Sequence, residues 1–281
     1  MEIVYLKPKD EKSKRVIKSR DFHDRSKMSK KSKKPGKNKS MISPSQRIIR
    51  IDHVVGERTF TQKLTIPRKR PFTNVYQFKC TLLDTNPPVW RRIQVPENYT
   101  FYDLHVALQD VMDWKDYHLH CFIIPGIGTF EEIAHIECPW WDPWDMDDDW
   151  LITNEVPLKH FFRNPKDRVV YRYDYGDSWQ MNIILEKVLP KEKSIKYPVC
   201  VGGKLAAPLE DSGGIPGYYR CIKAFEKANK LNLEDLPENE VSEELWDLIL
   251  WFGDWDPYEF DPKKVLFDDP RERFIMALDL E

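Results

Sequence analysis

Along the body of this chain, the spacing of apolar and polar residues changes period and marks out a series of elements. From Val75 to Leu83 the two kinds alternate, with Tyr76, Phe78 and Cys80 on one side, which predicts a β-strand. Asp84-Thr85-Asn86-Pro87-Pro88 reads as a turn, and Trp90 to Val95 predicts a second strand closed by Pro96. The period then lengthens. Leu104, Leu108 and Val111 fall at helical spacing behind Thr100 and Asp103, which are placed as a capping box, so a helix with one buried stripe is expected. His118 to Ile124 predicts a third strand. Two more follow, around Val169–Tyr173 and Met181–Leu185, joined by a hairpin connection at Asp174–Ser178. In that connection Gly176 is expected to supply a backbone conformation that other residues resist. A helix is expected from about Tyr218 to Asn229, and a second behind Ser242 as N-cap, with Leu245, Ile249 and Phe252 on one face. The pattern predicts an α+β fold: a mixed, mostly antiparallel sheet with a β-grasp-like opening of strand, strand, helix, strand, and C-terminal helices.

Charge divides the chain more sharply than hydropathy does. Of 44 Lys and Arg, 22 fall at or before Arg70, together with only 7 of the 46 Asp and Glu, while all ten tryptophans lie beyond it. Residues 1–46 are therefore read as a disordered basic tail, because a segment so rich in lysine cannot bury enough apolar surface to offset chain entropy. Its lysines, Lys30, Lys31, Lys33, Lys34, Lys37 and Lys39 among them, suit contact with nucleic acid through counterion release, or simple solubilisation. Residues 47–72, with Ile48, Ile49, Ile51, Val54 and Val55 followed by Phe60, Leu64 and Ile66, are compatible with a short hairpin or linker. Residues 73–281 form the folded domain. No run of apolar residues is long enough for a membrane span, and the five cysteines show no metal-knuckle or redox spacing, so a cytoplasmic protein with reduced thiols is expected.

Several blocks carry a resemblance. Pro87-Pro88-Val89-Trp90-Arg91-Arg92, Leu104-His105 and His118-Leu119-His120-Cys121-Phe122 stand in order before Tyr171-Arg172-Tyr173-Asp174-Tyr175-Gly176-Asp177-Ser178-Trp179. Pro208-Leu209-Glu210-Asp211-Ser212-Gly213-Gly214 with Gly217-Tyr218, and then Asp256-Pro257-Tyr258-Glu259-Phe260-Asp261, complete the series. In these blocks the chain resembles the plasmid pRiA4b Orf-3-like family, over roughly Val75 to Leu266. The resemblance implies relatives encoded on plasmids and near mobile elements, and it implies no established activity. Two positions depart from the family pattern: Met181 stands where relatives usually place a histidine, and Ala207 where many have a cysteine. Had those groups held a metal in relatives, this chain would lack two of its ligands.

The candidate chemistry gathers in three of these blocks. His118, His120 and Asp174 form a set suited to a divalent metal, the two histidines sharing a face if they lie two apart on a strand. Glu210 would then act as general base with Asp177 beside it, in hydrolysis of a phosphodiester or similar substrate. A structural alternative holds that the aspartates serve turn hydrogen bonds, that His120 is an interior histidine, and that Glu210 or Asp211 pairs with Arg91 or Arg92. A binding role would use Trp179, Tyr173, Tyr175, Arg91 and Asp211, with the acidic, tryptophan-rich body taking a basic protein or peptide. The stretch Pro139–Trp150 lacks the glycine and terminal glutamate of an EF-hand. Ser178 lies in an acidic hairpin that would repel DNA phosphate, which excludes a serine-recombinase reaction by this domain.

Overall fold

The structure is a computed structural model that describes residues 48–55, 58–66, 71–126, 131–140, 147, 149–231 and 242–278. Its described residues fall into two units, one ending at Ile66 and the other comprising those from Pro71 onward. In the first, β1 (Ile48–Val55) and β2 (Arg58–Thr65) pair antiparallel, from Ile48 opposite Thr65 to Val55 opposite Arg58. The lysines singled out between Lys30 and Lys39 lie outside the described residues, as do Trp141 to Met146 and Asp148.

The second unit is built on an eight-stranded sheet among the described residues. Its strands are β3 (Asn74–Leu82), β4 (Trp90–Pro96), β5 (His120–Pro125), β6 (Glu132–Glu137), β7 (Leu151–Ile152), β8 (Arg168–Tyr173), β9 (Trp179–Pro190) and β10 (Val199–Lys204). They lie in the order β10-β4-β3-β9-β8-β5-β6-β7, and every pairing is antiparallel except β6 with β7. The helices are α1 (Phe101–Met112), α2 (Gly214–Leu231), α3 (Glu243–Phe252) and α4 (Pro270–Ala277). The fold is α+β and mostly antiparallel, with helices at its C-terminal end. The opening order strand, strand, helix, strand is present, but β8 and β9 stand between the first two strands and β5.

Helix α1 begins as its sequence predicts. The Thr100 hydroxyl accepts from the Asp103 amide at 3.2 Å, and the Asp103 carboxylate accepts from the Thr100 amide at 2.8 Å. Its expected single stripe is corrected by the structure: every residue of α1 except Asp110 is buried. The cause is a cover on its far side. The Tyr102 ring meets Phe274 of α4 edge-on at 4.9 Å, and Arg273 of α4 reaches Asp110 at 3.2 Å. A helix enclosed this way must satisfy polar groups inside. His105 does so, with Nδ1 2.8 Å from the Tyr171 hydroxyl and Nε2 2.8 Å from Asp116.

The arginines at the start of β4 do not pair with Glu210 or Asp211. Arg91 is 1% exposed and donates to the carbonyls of Val111, Trp90 and Lys204 at 2.8, 3.0 and 3.2 Å, its guanidinium lying over the Phe260 ring. Burial pushes its pKa down to about 10, which leaves it charged at neutral pH. Arg92 instead grips Glu186 through two bonds of 2.6 and 2.8 Å. Arg91 is therefore a buried structural cross-tie, with no part of the surface a binding role would use. Helix α2 also starts earlier than expected, at Gly214, because Pro216 falls in its first turn, where no intrahelical donor is needed.

Candidate functional site: three loops around His118

The connection between β8 and β9 runs from Asp174 to Ser178, and Tyr173 and Trp179 face each other across its base. Its shape depends on Asp174 more than on Gly176. Asp174 and Ser178 adopt left-handed φ values of 56° and 57°, whereas Gly176 has none in that range. Aspartate tolerates this conformation because its short side chain bonds locally. Here Asp174 Oδ1 accepts from the amides of Gly176 at 2.9 Å and Asp177 at 3.3 Å. That arrangement corrects the role expected of the glycine.

A second loop locks onto the first. Asp177 Oδ2 accepts from the Gly213 amide at 3.0 Å, and Gly214, at φ 66°, lies so close that a Cβ there would be 2.7 Å from the Asp177 carbonyl. The third loop, ahead of β5, supplies His118. Its Nε2 stands 2.9 Å from Asp211 Oδ1 and 3.6 Å from Asp174 Oδ2. Glu210 is held from both sides: the Tyr173 hydroxyl donates to one oxygen and the Lys115 amide to the other at 2.5 Å. Burial pushes the Glu210 carboxyl above the usual carboxylate range, against the pull of these donors. The three segments thus meet, with Asp211 exposed, Asp177 and Glu210 half-buried, and Asp174 buried. Among the described residues no Lys or Arg forms an ion pair with any of these four carboxylates.

His120 is not part of this group. Strand β5 begins at His120, so His118 lies in the loop before it and strand alternation does not relate the two. The His120 ring is fully buried and stacks on His105 at 3.5 Å, nearly parallel. Burial beside His105 holds its pKa well below the usual histidine range, so it is neutral. Neither of its ring nitrogens has a hydrogen-bond partner among the described residues. We predict that His120→Phe leaves the melting temperature unchanged or raises it, since removing an unsatisfied buried polar group recovers about 1 kcal/mol. Calorimetry of the purified variant checks this, and a clear fall would reveal a partner for the imidazole.

The aromatic residues assigned to binding divide in the same way. Trp179 and Tyr173 are 1% and 0% exposed and belong to the core, with Trp114 stacked on Tyr173 at 5.0 Å. Tyr175 does reach the surface, and its hydroxyl donates to Glu137. Met181 is also buried in the core, paired in register with Leu82 on one side and Tyr171 on the other. Sequence reasoning missed the backbone amides of Lys115 and Gly213 because an amide carries no residue signature. The glycines Gly213, Gly214 and Gly217 were the available signal for close approach.

Comparison with known proteins gives a consistent placement. The chain is 29% identical over 155 residues to the uncharacterized protein y4hQ of Sinorhizobium fredii, a match spanning 54% of this chain and 73% of that one. The crystal structure of a protein of unknown function, MM3350, from Methanosarcina mazei Go1 is similar at 40% identity and a TM-score of 0.57, covering 70% of this chain and all of that one. The model of the family described as plasmid pRiA4b ORF-3-like protein matches residues 74–264, which include every loop of the site. The chain belongs to the plasmid pRiA4b ORF-3-like family.

Proposed function

We propose that the domain is a binding module whose working face is the acidic surface of Asp174, Asp177, Glu210 and Asp211 around His118, and that it takes a cationic group from a basic protein or peptide. One observation carries this reading. Four carboxylates from two loops stand around His118: backbone amides and a tyrosine hydroxyl hold Asp174, Asp177 and Glu210, Asp211 meets His118 itself, and no Lys or Arg among the described residues pairs with any of them. Fixed carboxylates that keep free lone pairs are prepared to accept a guanidinium or ammonium. The lysines of residues 1–46 belong to a different contact, with nucleic acid, supported by their clustering.

A second reading, metal-dependent hydrolysis, is favoured by a single fact: His118, Asp174 and Asp211 offer ligand atoms within 4.8 Å of one another. It is weakened by Glu210, whose two oxygens are both engaged and so do not stand ready as a general base. Fluorescence anisotropy with a labelled arginine- and lysine-rich peptide separates the readings. The binding module predicts saturable binding that falls at least tenfold in D174N/D211N but not in E243Q/E244Q, which removes equal charge from exposed residues of α3. Failure to bind the peptide, together with tight Mn²⁺ binding lost in D211N, would replace the first reading by the second.

A further inference from the structure

Away from the three-loop face, the sheet carries a second group of chemistry-bearing side chains. Cys121 of β5 lies opposite Glu137 of β6 in register, and His135 precedes Glu137 by two residues. Strand alternation puts all three on one face. Cys121 Sγ, a His135 ring nitrogen and a Glu137 oxygen all lie within 4.8 Å of one another, and His135 Nε2 is 3.0 Å from Glu137 Oε2. Cys121 and Glu137 are each 1% exposed, so a carboxylate and a thiol are held inside the protein beside an imidazole. We propose that Cys121, His135 and Glu137 bind a divalent metal ion of the zinc class.

Three features outside the ligand set support this. His135 Nδ1 is 2.9 Å from Glu132 Oε1, the carboxylate–imidazole relation that fixes the tautomer and orientation of a metal-bound histidine. The Tyr175 hydroxyl is 2.9 Å from both oxygens of Glu137 and would orient that carboxylate as a ligand. Trp150 stacks on the His135 ring at 4.0 Å, which limits its rotation. A thiolate, an imidazole and a carboxylate select zinc or cobalt over magnesium or calcium. Tetrahedral ligands at zinc bond lengths stand about 3.5 Å apart, a small adjustment from the separations here.

The charges balance as well. Metal uptake displaces the proton from the Cys121 thiol, and the resulting thiolate with the Glu137 carboxylate neutralises a dication. The competing arrangement is metal-free, with His135 protonated on both nitrogens between Glu132 and Glu137. The His105–Asp116–His120 group is a poorer metal site, because near-parallel rings 3.5 Å apart cannot both aim a lone pair at one ion.

The full-length chain, stripped with a chelator and titrated with Co²⁺, tests the assignment. The expected result is a thiolate-to-cobalt charge-transfer band that saturates at one equivalent and is removed by competing Zn²⁺. The band should vanish in C121S and persist in D211N, which separates this site from the three-loop face. Glu132→Gln, a substitution on the protein surface, should weaken Co²⁺ binding by roughly tenfold or more while leaving the fold intact. No band in the wild-type chain, or a band unchanged by C121S, would overturn the proposal. So would histidine ¹⁵N resonances that keep His135 doubly protonated in the presence of saturating Zn²⁺.

Discussion

Gly217→Ala is expected to destabilise the domain by more than about 3 kcal/mol, the range reserved for overpacking that side-chain rotation cannot relieve. A Cβ on Gly217 would fall 1.6 Å from the Ser212 carbonyl oxygen and 2.5 Å from its carbon. Both are backbone atoms, so either the start of α2 or the loop bearing Glu210 and Asp211 must move. Gly176→Ala provides the contrast. Gly176 sits in the most conspicuous motif of the chain, yet its added Cβ would meet only the Asp174 side chain, at 3.2 Å, and its φ is not left-handed. Its cost should stay near the ordinary surface value, about 1 kcal/mol or less. Chemical denaturation of the two variants beside wild type measures both numbers. A Gly176 variant less stable than the Gly217 variant would mean that the packing of the loop on α2 is wrongly described.

Arg91→Met should cost about 3 kcal/mol or more, although methionine fills much of the same volume and removes a buried charge. The guanidinium ties the backbone of β4, the last turn of α1 and the end of β10 together through three carbonyls, and it packs on Phe260 beyond them. Methionine leaves those acceptors without a donor, and each unsatisfied buried group costs about 1–3 kcal/mol. Arg91→Lys should recover only part of the loss, because an ammonium cannot reproduce the planar fork. Denaturation midpoints for the three proteins test the order wild type, Lys, Met. A Met variant as stable as wild type would show that the carbonyls find other donors.

These two residues show what the sequence makes legible. Strands β4, β8 and β9 follow from alternation, because their burial alternates along the strand, and the start of α1 follows from its capping box. Strand β6 was not legible. In Glu132–Glu137 burial rises toward the strand's end on both faces, enclosing Glu137 as fully as Ile136 while Ile133 is 63% exposed, so hydropathy marks no inner face. The burial of Glu137 beside Ile136 likewise hid the Cys121–His135–Glu137 group. In the Trp90-Arg91-Arg92 block nothing separates the two arginines by sequence, whereas the partners of Arg91 are carbonyls contributed by tertiary structure and that of Arg92 is Glu186. The loops of the site were visible as blocks, but only the fold reveals that Asp177 and Gly213 bond each other, and that His118 and His120 part company.

A cationic group received by the acidic face around His118 would be reported directly by two amides. The Gly176 and Gly213 amides donate to the carboxylates of Asp174 and Asp177, so their NMR shifts should respond when those carboxylates take a partner. Titration of the ¹⁵N-labelled chain with an arginine- and lysine-rich peptide should give saturating shifts centred on Gly176, Asp177 and Gly213, absent in D174N/D211N. Shifts confined to other surfaces, or identical shifts in the double variant, would contradict the account.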